Sequence, residues 1–97
     1  MSKAASVIAA YRARLEEAER QVGTPEIRTA DVDGLTLAVS EMESVQTSDQ
    51  ASSKAGEYKA QRDQAVTDGD KATARGLFWV IMGLNRLAIE LKEPAHV

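Results

Sequence analysis

Between Gln46 and Ala65 the chain carries no Val, Ile, Leu, Met, Phe or Trp, whereas the stretch from Leu77 to Leu91 is dominated by them. This imbalance constrains the fold more than any other feature. Placed at ~100° per residue, Leu77, Phe78, Val80, Ile81, Met82, Leu84, Leu87, Ala88, Ile89 and Leu91 sweep roughly 220° of a helical wheel, about twice the stripe by which a surface helix docks on a core. One neighbour cannot cover such an arc. The segment before it offers only Ala51, Ala55, Tyr58 and Ala65 on one face, which reads as a polar helix over 48–66 whose small residues permit close approach. Fraying over 47–53, or a partly disordered linker of Ser, Gln and Lys, is the competing reading.

The two segments are joined by Val66-Thr67-Asp68-Gly69-Asp70, which has the chemistry of a tight αα-hairpin turn, with Gly69 as helix stop and Asp70 as cap of the next helix. The last helix then runs over 71–92 and ends before Pro94. At the other end of the chain, Ala4, Val7, Tyr11, Leu15, Ala18 and Val22 recur at three- and four-residue spacing, predicting a helix over 2–22 with Ser2 as N-cap and Gly23 as stop. Arg12 with Glu16, and Glu16 with Arg20, are spaced for surface ion pairs along it.

The middle of the chain is ambiguous. Thr24-Pro25-Glu26 combines a hydroxyl cap, a proline at a first helical position and a carboxylate near the positive dipole end, the signature of a helix start. Asp33-Gly34, however, lies between Ile27–Val32 and the alternating Leu35, Leu37 and Val39, a strong short-range hairpin signal. Val32, Leu35, Val39, Met42 and Val45 keep helical spacing through the same residues. The expected fold is therefore all-α (mostly α): one domain over 1–97, three helices with a C-terminal αα-hairpin, a segment 26–45 that is either helix or a small β-hairpin near 27–39, and a tail over 93–97.

Composition removes several functions. The 97 residues suffice for one domain that buries about two-thirds of its unfolded surface. Cys is absent, which excludes disulfides and thiolate metal sites. A net charge of −3, from 12 basic and 15 acidic residues, supplies no overall footprint for nucleic acid. Arg12, Arg14 and Arg20 are interleaved with Glu16, Glu17 and Glu19 and read as a solvated face. The start of the chain has no cleavage-like site after its apolar residues, and Leu77–Leu91 is broken by Asn85, Arg86 and Glu90, short of the roughly 20 apolar residues of a membrane span. A soluble protein of the cytoplasm or of an assembled virion is the expectation.

Sites for chemistry are also missing. His96, the only histidine, falls in the tail after Pro94, so neither a catalytic nor a metal role is expected of it. Asp31-Val32-Asp33-Gly34 and Asp68-Gly69-Asp70 have the look of calcium loops but lack the remaining oxygen ligands and the closing Glu, and read better as turns and caps. No G-x-S-x-G, no nucleophile with a base and no phosphate-cradling glycine loop appears. Enzymatic activity, cofactors and metals are not expected.

The surplus apolar surface of the last helix points instead to protein. Leu77, Ile81, Leu84, Ala88 and Leu91 follow the 4-3-4-3 rhythm of coiled helices and form the expected seam, with one side of the helix satisfied inside the chain and this side facing a second copy or another subunit. Asn85 sits within the apolar arc and needs a hydrogen-bond partner, which could fix register in an assembly or be water at the rim. Trp79, between Gly76 and Gly83 on the polar side of the helix, is an interface anchor, a residue covered by a flap of the chain, or ordinary packing against the first helix.

A first helix, then the Asp33-Gly34 element, then a further helix, over residues 2 to about 50, is similar to the small head-tail joining proteins of tailed phages, the lambda W class. That resemblance implies a non-enzymatic virion component that assembles in many copies; the hairpin over 48–93 has no counterpart in that class. The expected function is a self-associating structural or adaptor protein, with a small antitoxin-like or inhibitory protein docking one target through the last helix as the alternative. From pattern alone, the far-ultraviolet circular dichroism spectrum should exceed half helix, and a strand-dominated spectrum would contradict the fold class.

Overall fold

The computed structural model describes residues 2–92 and contains four helices: α1 (Lys3–Gln21), α2 (Thr29–Ser44), α3 (Ser48–Thr67) and α4 (Lys71–Lys92). Among the described residues there is no strand. The all-α class holds, with one helix more than the three expected. The tail with Pro94 and His96 lies outside the described residues.

Local chemistry sets most of the boundaries. Ser2 caps α1 by accepting the Ala5 N–H at 3.1 Å. Thr47 accepts the Gln50 N–H at 3.1 Å while Gln50 Oε1 accepts the Thr47 N–H at 3.2 Å, a reciprocal capping box that starts α3 without fraying at 48–53. At the other end of α3 the Asp70 N–H donates to the Ala65 carbonyl at 2.8 Å and the Gly69 N–H to the Val66 carbonyl at 3.1 Å. This is the Schellman arrangement, which requires the positive φ of 78° that Gly69 adopts. Asp70 then accepts the Thr73 N–H at 3.1 Å and opens α4.

The β-hairpin near 27–39 is not formed. Thr24 does use its hydroxyl, accepting the Ile27 N–H at 3.2 Å, but this closes a turn, and α2 begins five residues later at Thr29. Asp33-Gly34 lies within the helix. The glycine is there for close approach rather than for a turn: a Cβ on Gly34 would fall 2.3 Å from the Gly76 carbonyl oxygen, and one on Gly76 would fall 3.0 Å from the Ala30 carbonyl oxygen. The α2 and α4 backbones therefore touch directly at this crossing. The local turn signal loses to a tertiary contact 42 residues away in sequence, between Gly34 and Gly76.

Packing is organised around α4, which contacts each of the other three helices. Its face of Val80, Leu84, Leu87 and Ala88 is buried with Leu35, Ala38, Val39 and Met42 of α2 and Val7, Tyr11 and Ala18 of α1. The expected Ala stripe of α3 is real: Ala51, Ala55 and Ala65 are buried, and the α3–α4 contact is the most extensive in the molecule. Ser48 reinforces it by donating its hydroxyl to the Ala88 carbonyl at 2.8 Å. The surface charges of α1 pair differently from the expected spacing, with Arg12 reaching Glu43 of α2 and Arg20 reaching Glu17. Tyr58 donates its hydroxyl to Glu41 across α3 and α2, and this hydrogen bond, with burial, pushes its pKa up to about 12.

The molecule measures 44 × 30 × 17 Å, so its thinnest dimension is less than two helix diameters of about 10 Å each. A slab this thin cannot enclose α4 on every side. Two glycine substitutions test the packing. Gly34→Ala should destabilise by roughly 2 kcal/mol or more because its methyl meets backbone, despite the better helix propensity of Ala. Gly56→Ala on α3, where a Cβ meets nothing within 4 Å, should stabilise by up to about 1 kcal/mol. Urea denaturation of both variants measures the two signs directly.

Candidate functional site

The seven residues expected at an interface divide into three groups, buried, half-buried and exposed. Leu77, Leu84 and Ala88 are buried within the single chain, Leu84 completely at 0 % exposure. The side of α4 read as the free seam is thus the side the chain uses for its own core. Leu91 and Trp79 are half-buried against that core, and Ile81 is half-buried. Asn85 is exposed.

What α4 leaves uncovered is the neighbouring stripe. Phe78 and Met82 are each 44 % exposed and Ile89 is 58 % exposed. With Asn85 they follow a 4-3-4 spacing, the same coiled-helix rhythm one residue out of phase with the buried set. Both sets lay within the apolar arc seen in sequence. The fold buries the purely apolar one and leaves out the one interrupted by Asn85, as the desolvation cost of an unpaired amide requires.

Trp79 is held inside the chain by three contacts. Its indole Nε1–H donates to Asp31 Oδ1 at 2.9 Å, its ring lies edge-on to Phe78 at 5.8 Å between centroids, and the Arg14 guanidinium of α1 stands 5.7 Å from its ring centre. Ordinary packing toward α1 accounts for it. Its role is to aim Phe78 and the first turns of α4 relative to α1 and α2.

Asp31 is the centre of that arrangement and the residue the sequence did not single out for this purpose. It is 2 % exposed, the only buried charged residue among those described. Its Oδ2 accepts the Arg28 N–H at 2.9 Å, and the Asp31 N–H returns a bond to the Arg28 carbonyl at 2.9 Å, closing the start of α2. Its Oδ1 accepts Arg75 Nε–H at 2.8 Å together with the Trp79 indole. Arg75 in turn donates from Nη2 to the Glu26 carbonyl at 3.0 Å. One carboxylate thereby joins the α1–α2 connection, the first turn of α2 and the N-terminal half of α4. Burial pushes its pKa up, but the Arg75 guanidinium, the Arg28 N–H and the Trp79 indole outweigh burial and hold it at about 2. The calcium-loop reading of residues 31–34 does not fit this geometry, because both Asp31 oxygens are taken by donors and the segment is helical. No sequence signal links Asp31 to Arg75 and Trp79, which lie more than 40 residues away.

Among the described residues no helix is long and apolar enough to cross a membrane. No protein-family model, curated protein or solved structure matches the chain. Its function is therefore argued from its own surface.

The Asp31 cluster carries a pH signature. A carboxyl whose pKa falls on folding contributes stability that is present above the unfolded value of ~3.9 and is lost as pH falls toward the folded value of about 2. Asp31→Asn should lower stability at pH 7 by roughly 2 kcal/mol, the scale of a hydrogen bond to a charged group. The gap between wild type and variant should narrow as pH falls from about 4 to 2. Urea midpoints at stepped pH measure this, and a gap independent of pH would refute the assignment.

Proposed function

We propose that this protein is a non-enzymatic adaptor or structural subunit that self-associates through the exposed face of α4. The observation that carries the reading is the stripe of Phe78, Met82 and Ile89, three large apolar side chains left in solvent on one helix face at coiled-helix spacing. Scattered exposed apolar residues are ordinary; three aligned along about three turns of one helix are a surface that gains from a partner.

A second copy suits this face because the stripe is self-complementary. Phe78 and Ile89 stand equally far along the helix from the midpoint between Met82 and Asn85, so a twofold axis there sets Phe78 of one chain against Ile89 of the other. The amide of Asn85 both donates and accepts, so it can be satisfied by the same contact, and a lone polar position of this kind selects register at some cost in affinity. The face is accessible, with Phe78 and Met82 each 44 % and Ile89 58 % exposed. The narrower form of the proposal, a virion connector of many copies, rests on the N-terminal resemblance alone and requires a ring rather than a dimer.

Sedimentation or light scattering at several concentrations tests the reading. The expected result is a mass that rises with concentration in the wild type. Met82→Asp and Ile89→Asp should each give a monomer that remains helical and loses little stability, because both side chains are already in solvent. Leu84→Asp should instead unfold the chain by several kcal/mol, since Leu84 is buried in the core. A wild-type chain that is monomeric at every concentration would overturn self-association and leave the single-target regulator as the better account.

A further inference from the structure

Four cations converge on one cleft, in a chain whose net charge is −3. Arg28 at the start of α2, Arg62 on α3, and Lys71 and Arg75 on α4 line a cavity of about 780 Å³, with Phe78 and Trp79 forming its apolar wall. The one carboxylate lining it is Asp31, and its oxygens are already committed to the Arg28 N–H, Arg75 and Trp79. Arg28, Arg62 and Lys71 form no ion pair among the described residues. Arg62 adds a second observation: its Nε is buried and has no hydrogen-bond acceptor. The Arg62 side chain is thus held at the cleft by burial of its inner nitrogen and by no acceptor within the chain, and as a residue it is only half-buried. The first turns of α2 and α4 also open on this cleft, adding the positive ends of two long helices.

We propose that the cleft binds a small phosphorylated molecule that carries a flat ring, of the nucleoside polyphosphate class. Several cations facing one cavity match a multiply charged phosphate chain better than a single carboxylate, and arginine offers the fork geometry that phosphate oxygens accept. The half-exposed Phe78 ring supplies a surface on which a planar group stacks, and the volume lies within the range of small-molecule sites. A nucleic-acid polymer fits less well, because the cations gather in one cleft rather than along a stripe and the chain as a whole is acidic. The cleft shares only Phe78 with the self-association stripe, and its cations stand apart from that stripe, Arg28 and Arg62 lying off α4.

Trp79 is the chain's only tryptophan and lines the cleft, so its fluorescence reports occupancy directly. Titration with ATP, pyrophosphate, adenosine and a short single-stranded oligonucleotide should give a saturable change with ATP that weakens as salt is raised. Arg62→Gln and Arg28→Gln should each weaken ATP several-fold, and the double variant at least about tenfold, with the helical circular dichroism spectrum retained. Phe78→Ala should weaken ATP while leaving pyrophosphate unchanged. The proposal is overturned if ATP gives no saturable change, if the double variant binds as well as wild type, if adenosine or pyrophosphate alone binds as tightly as ATP, or if the oligonucleotide binds more tightly than ATP.

Discussion

Gly34 and Gly76 allow α2 and α4 to meet backbone to backbone, and the rest of the fold follows from how closely α4 can be approached. A side chain at Gly34 would drive its Cβ to 2.3 Å from the Gly76 carbonyl oxygen, so no other residue fits without moving a helix. On another side of α4, Ala51 and Ala55 of α3 serve the same end, and Gly83 leaves room for the Met42 sulfur and the Tyr11 ring. Small residues thus bring three helices onto one apolar helix. Dispersion and burial do the work that large side chains on α3 would otherwise have done.

With so few layers, the molecule has little core in which to hide a charge, yet Asp31 is hidden. Its carboxylate is fully hydrogen-bonded to two cationic or polar side chains and one backbone N–H, the condition under which a buried charge is tolerated. The arrangement fixes the angle at which the α1–α2 connection meets α4 and orients Trp79 against Arg14. It also spends the only carboxylate lining the cationic cleft, and so the same interaction that secures the fold leaves Arg28, Arg62 and Lys71 uncompensated.

The two surfaces proposed to bind are what remain after the core is satisfied. The apolar stripe of α4 is the part of a wide arc that its three neighbours do not reach, and the cleft is a set of cations whose one lining carboxylate, Asp31, is already taken by Arg75, the Arg28 N–H and Trp79. They meet at Phe78, which belongs to the stripe and lines the cleft. A ligand stacked on that ring and a second copy packed against it would share one side chain, so occupancy of one surface bears on the other.

The sequence by itself determined the helical class, the start of α1, the Gly69-Asp70 turn with the αα-hairpin it closes, the Ala stripe of α3 and the excess apolar surface of α4. These are local matters of capping, turn conformation and 3.6-residue periodicity, and each is encoded within a few residues of where it acts. Only the tertiary structure decided that Asp33-Gly34 is helix, because the use of Gly34 is its contact with Gly76. It alone showed which of two equally spaced stripes on α4 is buried, since Leu77–Ile81–Leu84–Ala88 and Phe78–Met82–Asn85–Ile89 have the same rhythm, and the polar Asn85 that tells them apart gains meaning only once the neighbouring helices are placed. It alone joined Asp31 to Arg75 and Trp79 and gathered Arg62 with Arg28, because such partners are fixed by the path of the chain in space and leave no periodicity along it.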